Sequence, residues 1–129
     1  MNAARFALKL VLGLLFVAAG LNHFLSGAFY LRMMPPYLPA PRALVWLSGV
    51  AEVALGILFL IPRLTRISAW GLITLLIAVF PANVQMALNP ELFPEFSPAL
   101  LWLRLPLQAV LIVWAHWFTR TVPASPAPR

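Results

Sequence analysis

Apolar side chains fill four long runs of this chain, and the polar residues that interrupt them are few and widely spaced. The runs extend from about Phe6 to Leu25, Ala43 to Ile61, Ile67 to Leu88 and Ala99 to Phe118. Each approaches or exceeds the roughly 20 residues that carry a helix across a ~30 Å hydrocarbon core at ~1.5 Å per residue. None shows the apolar/polar alternation of a barrel strand, and lipid offers no partner to an unpaired backbone group, so helices are the assignment. The pattern predicts an all-α protein, a transmembrane four-helix up-and-down bundle over residues 1–119. The remaining 120–129, which include Pro123-Ala124-Ser125-Pro126-Ala127-Pro128, read as a disordered Pro-rich tail with no core to join.

The connections differ in character. Pro62 to Arg66 is a tight turn, which makes helices two and three of the pattern an antiparallel hairpin. Ser26 to Arg42 sets Phe29, Tyr30, Met33, Met34 and Tyr37 around Pro35-Pro36 and Pro39. It is too apolar for a solvated loop and too broken by proline for a fifth span, so it belongs at the interface or dipping inward. Asn89 to Pro98 places Phe93 and Phe96 among three prolines, a stiff segment packed on the bundle. Both longer connections cover the same mouth.

Charge then orients the bundle. Arg5, Lys9, Arg63, Arg66, Arg120 and Arg129 fall on one side, and Arg32 and Arg42, with Glu91 and Glu95, on the other. The positive-inside rule puts both termini in the cytoplasm, and the expected location is a bacterial inner membrane, crossed several times. The first run also has the charged start of a signal peptide, but it continues apolar to Leu25 and Ser26-Gly27-Ala28 is a weak cleavage signal, so an uncleaved helix is expected.

With 63% hydrophobic and only 9% charged residues, a water-soluble fold is excluded. The net charge of +6 is spread over the ends of apolar runs rather than gathered in a patch, which argues against nucleic acid as a partner. There is no cysteine, so thiol–disulfide chemistry and thiolate metal sites are excluded. No metal, haem or flavin motif is present. Any redox work must use a bound small molecule or a partner protein.

The candidate chemistry lies in the polar residues inside the spans, each of which costs free energy that a purely structural helix avoids. Glu52 is about 14 Å down the second run, the one acidic residue within a span. On the fourth run Arg104 and Gln108 share a face because they are four apart. Asn83 follows Pro81, whose missing N–H frees a carbonyl that can line a cavity, and Asn22 with His23 closes the first run. Gly13 and Gly20 share a face with His23, and Gly49 and Gly56 with Glu52, so the helices bearing the two titratable groups can approach closely. All four runs thus contribute polar groups at similar depth, which suggests one shared cavity. The simpler alternatives are that Glu52 only fixes helix register, alone or paired with Arg104, and that Asn83 and Gln108 only bridge helices.

Gly20-Leu21-Asn22-His23-Phe24, Pro35-Pro36-Tyr37-Leu38-Pro39, Gly49-Val50-Ala51-Glu52 with Gly56, and Pro81-Ala82-Asn83 with Met86 together resemble the DoxX family of small four-helix membrane proteins, over about Arg5 to Phe118. The resemblance implies membership of membrane-bound redox assemblies, some relatives being subunits of thiosulfate:quinone oxidoreductases. It carries His23, Glu52 and Asn83 over as motif positions. The leading expectation is a membrane subunit of a quinone-linked redox system, with His23 and Glu52 as catalytic proton carriers and Asn22, Asn83, Arg104 and Gln108 as ligand-binding groups. Quinone is the expected cofactor, and the expected partners are the bilayer, a redox partner protein and a second copy of the chain. A non-enzymatic membrane scaffold for partner proteins is the alternative, and a proton-coupled small-solute transporter ranks third.

Overall fold

The computed structural model describes residues 2–120, so the tail read as disordered lies, apart from Arg120, outside the described residues. Five helices are formed: α1 (Ala3–Leu25), α2 (Gly27–Met33), α3 (Pro41–Leu60), α4 (Thr65–Leu88) and α5 (Pro98–Trp117). The described residues contain no strand. Four of the helices, all but α2, are long and apolar enough to cross a membrane. The sequence pattern located these four to within a few residues; the addition is α2, a short fifth helix in the connection that proline had made hard to read.

Local chemistry sets the helix ends. Asn2 caps α1, its Oδ1 accepting from the Arg5 backbone N–H at 2.7 Å, which satisfies one of the free donors of the first turn. Pro41 and Pro98 stand in the first turns of α3 and α5, where a missing N–H costs nothing. The turn between α3 and α4 is a single 3-10 turn, Pro62–Leu64. The Thr65 hydroxyl lies 2.9 Å from the Phe59 carbonyl and 3.1 Å from that of Ile61, which ties the start of α4 to the end of α3.

α1 packs along α3, α3 against α4 and α4 against α5. The α1–α3 contact is the closest because glycine lets backbone meet backbone. A methyl group on Gly20 would stand 2.8 Å from the Gly49 carbonyl oxygen, and one on Gly56 2.9 Å from the Gly13 carbonyl oxygen. In lipid, where there is little hydrophobic force between helices, such close approach is a main source of association. The start of α1 and the end of α5 meet: the Arg5 guanidinium lies 5.2 Å from the Trp117 ring and 5.0 Å from that of Phe118. We call this the terminal end and the opposite one the loop end.

Two dry cores hold the bundle. One, nearer the terminal end, gathers Leu12, Phe16, Phe59, Leu72, Ala115 and Phe118. The other, at the loop end, joins Met33 of α2, Met86 of α4, Leu101 of α5 and Phe93. Large apolar side chains also face outward, Ile67 and Val113 each at 70% exposure, as a lipid-facing surface requires. Lys9, read from the sequence as a flanking charge, is only 4% exposed and packs within the bundle.

Candidate functional site

Between the two cores lies a cavity of about 270 Å³ to which all five helices contribute. Its polar lining includes His23 from α1, Tyr30 from α2, Glu52 from α3, Asn83 from α4, and Arg104 and Gln108 from α5. The rest of its wall is almost wholly aliphatic or thioether, which leaves these groups as the points that fix a ligand's orientation.

The α1–α3 wall carries the titratable pair. Glycine at position 49 brings the helices together at this level, since a methyl group there would stand 2.8 Å from His23 Cβ. His23 Nδ1 lies 2.9 Å from the Ala19 carbonyl oxygen one turn back and 3.1 Å from Glu52 Oε2. A carbonyl oxygen only accepts, so Nδ1 carries the hydrogen in this arrangement and points it at Ala19. Glu52 Oε2 therefore touches the imidazole yet has no aligned hydrogen-bond partner among the described residues, although it is buried. The Tyr30 ring stacks on the imidazole at 3.9 Å between centroids and 17° between planes, and holds it in place. Asn22 Nδ2 donates to the Tyr30 hydroxyl at 3.0 Å, and Ser26 Oγ donates to Asn22 Oδ1 at 3.0 Å.

The α4–α5 wall carries an amide network. Asn83 Nδ2 donates to Gln108 Oε1, and Gln108 Nε2 donates to the Leu76 carbonyl. Arg104 Nε donates to Asn83 Oδ1 at 3.2 Å. Pro81 deprives the Ile77 carbonyl of its intrahelical donor. The carbonyl that the network uses is the one before it, Leu76, so the polar strip runs beside the turn that Pro81 leaves short of a hydrogen bond. Among the described residues no carboxylate pairs with Arg104; Glu52 faces His23 instead, which replaces the Glu52–Arg104 pairing considered from the sequence.

The loop end of the cavity is covered. Tyr30 and Met33 of α2 line it together with Met34, the residue that follows the helix. Arg32 ties α2 to the connection before α5: its NH2 lies 2.5 Å from Glu95 Oε1, and its NH1 donates to the Leu92 carbonyl at 2.9 Å. The guanidinium also lies over the Phe29 and Phe93 rings, at 5.5 and 5.3 Å. Hydrogen bonding from Arg32 holds the exposed Glu95 carboxyl below the usual carboxylate range. The two connections read from the sequence as covering one mouth are thus fastened to each other.

Five of the six residues singled out from the sequence, His23, Glu52, Asn83, Arg104 and Gln108, line one cavity. Asn22 stands behind the wall and touches the cavity only through Tyr30. Tyr30 itself, with Met33 and Met34, was read as part of an apolar connection rather than of the site. The signal for it was their i, i+3, i+4 spacing, which puts the three on one helical face.

A polar cavity walled by four membrane-length helices and a short fifth is the architecture of a small multi-pass membrane protein. The chain matches, over residues 12–119, the family described as Domain of unknown function (DUF8561), and belongs to it. No curated protein and no solved structure matches it, and nothing in these comparisons links it to the DoxX family.

Proposed function

We propose that this protein is a membrane subunit of a quinone-linked redox system, related to the DoxX proteins that its motifs resemble, and that the cavity receives a quinone headgroup. The observation that carries the reading is Glu52 Oε2, buried beside the His23 imidazole with no aligned partner, in the same cavity as an Arg104 that no carboxylate neutralises among the described residues. Each of those conditions is costly in a membrane unless something else occupies the space. The volume, about 270 Å³, lies just below the ~300 Å³ at which drug-sized pockets begin, which suits a single substituted ring.

Reducing a quinone consumes two electrons and two protons, and its two carbonyl oxygens accept hydrogen bonds throughout. The Arg104 guanidinium, of which only Nε is bonded among the described residues, supplies donors from the α4–α5 wall. Asn83 and Gln108 hold that guanidinium in place. The Tyr30 hydroxyl, whose lone pair is taken by Asn22, is free to donate from the other side. His23 and Glu52, in contact at 3.1 Å, are the groups that exchange protons with the ligand. Electrons come from a redox partner protein or a small reductant such as thiosulfate. The charge distribution supports both termini in the cytoplasm, within a bacterial inner membrane, which turns the covered loop end toward the periplasm.

The test is chemical. Protein purified in mild detergent and extracted with organic solvent is expected to yield quinone close to one per chain, and Glu52→Gln to retain the folded bundle and much of the quinone while quinone-dependent turnover in the reconstituted complex falls at least about a hundredfold, the scale of a lost acid–base group. Absence of quinone from the extract, together with no binding on adding it back, removes the proposal and leaves the scaffold reading.

A further inference from the structure

The four long helices close three of their seams and leave the fourth ajar. α1 and α3 are joined at their glycines, α3 and α4 through the tight turn at Pro62–Leu64, and α4 and α5 through Asn83 and Gln108. α1 and α5 form no comparable pairing along their length; they meet at the terminal end, where Arg5 lies over Trp117 and Phe118. Beside that meeting point is a second cavity, about 380 Å³ in volume, lined by Leu8 of α1 and Val110, Val113, Trp114 and Trp117 of α5. The side chains of this groove offer hydrocarbon and aromatic surface, and Val110 and Val113 are 58% and 70% exposed.

The groove lies on the same helix stripes as the polar cavity, further toward the terminal end. On α5, Arg104, Leu107 and Leu111 line the polar cavity, and Trp114 and Trp117 carry the same stripe into the groove at steps of three and four residues. On α1, His23, Ala19 and Leu15 do the same toward Leu8. From Arg104 to Trp117 the helix rises about 20 Å. The other way out of the polar cavity is covered by α2 and held by the Arg32–Glu95 pair. A long ligand whose headgroup occupies the cavity has an apolar path for its remainder sideways, along this seam.

We infer that the α1–α5 groove holds the isoprenoid tail of the quinone and that the seam is the lateral portal through which the molecule passes from lipid. The inference rests on the quinone reading of the cavity and names the form of the substrate: a long-tailed membrane quinone, not a water-soluble one. A tail in the groove replaces lipid contacts with protein contacts and tethers the headgroup beneath Tyr30. Bulk lipid or a second copy of this chain are the competing occupants.

Binding of radiolabelled quinones with one headgroup and no tail, a short tail or a long tail is measured in nanodiscs of fixed lipid composition, for the wild type and for Val113→Trp, which fills the groove. Comparing variants with the same ligand cancels its partition into the bilayer. Val113→Trp is expected to weaken the long-tailed quinone about tenfold, the worth of roughly two buried methylenes, and to leave the tailless one unchanged. Ile77→Trp, on the exposed face of α4, is the control for a bulky lipid-facing residue and is expected to change neither. Equal affinity of Val113→Trp and wild type for the long-tailed quinone assigns the groove to bulk lipid and overturns the inference. Equal loss of both ligands, or a change from dimer to monomer by light scattering, does so as well, since the groove then acts through bundle packing or a second copy. Binding of no quinone by the wild type is a separate result and removes the cavity reading itself.

Discussion

Gln108 makes two hydrogen bonds at once, accepting from Asn83 and donating to the Leu76 carbonyl, in a part of the bundle where it is only 4% exposed. It is thus the clasp between α4 and α5, and Asn83 passes its effect on to Arg104. Interhelical polar bonds in membranes average about 0.6 kcal/mol and reach about 1.7. Gln108→Leu, which removes both and strands the Asn83 amide, is expected to destabilise the bundle by roughly 1–2 kcal/mol, read from reversible unfolding in mixed micelles. A change within about 0.5 kcal/mol would show that the clasp does not matter to the fold. His23 and Glu52 differ in kind: their contact leaves a buried oxygen without an aligned donor, so it serves poorly as a structural brace.

α2 is where an element's role depends on its neighbours. Seven residues are too few to persist alone in water or at an interface, and this helix survives because Met33 enters the loop-end core and Arg32 is fastened to Glu95. The Glu95 carboxyl titrates lower in the folded protein than in the free chain, because hydrogen bonds from Arg32 favour its ionised form. The sign follows: the fastening is complete above the ordinary carboxylate range, near about pH 4.3, and is lost as pH falls through the lowered value. The cover over the cavity is therefore indifferent to pH from neutral upward and loosens only in acid. Spin labels on Gly27→Cys and Ala99→Cys, in a chain without native cysteine, are expected to give a narrow distance distribution at about pH 6 and a broad one near about pH 3, with Glu95→Gln broad at both. As both partners are exposed, added salt should weaken the effect.

The described residues form a bundle with Arg5 over aromatic rings at one end and a short helix at the other, and the membrane orientation we propose rests on charge rather than packing. Tyr37, 74% exposed at the loop end, and Arg63, in the turn at the terminal end, are suited to report it. A membrane-impermeant maleimide is expected to label Tyr37→Cys in intact cells and Arg63→Cys only after permeabilisation. The reverse pattern inverts the bundle and puts the covered mouth in the cytoplasm; labelling of both from one side is incompatible with four spans.

The sequence by itself determined the four long apolar helices and the position of each polar residue along its helix. Both follow from one-dimensional facts: a run of about twenty apolar residues must be a helix in lipid, and a rise of ~1.5 Å per residue turns position into depth. It also marked the α1–α3 contact, because glycines at seven-residue spacing share a face with His23 on one helix and flank Glu52 on the other. Rotation about each helix axis was not legible, since a residue at the right depth faces its neighbours or lipid according to packing with partners far away in the chain. Tertiary structure alone therefore decided that His23, not Arg104, meets Glu52, that Asn22 stands behind Tyr30, and that Tyr30 belongs to the cavity. It also decided which seam stays open: α1 and α5 are the two ends of the fold, joined by no turn, and only their side chains settle how closely they approach.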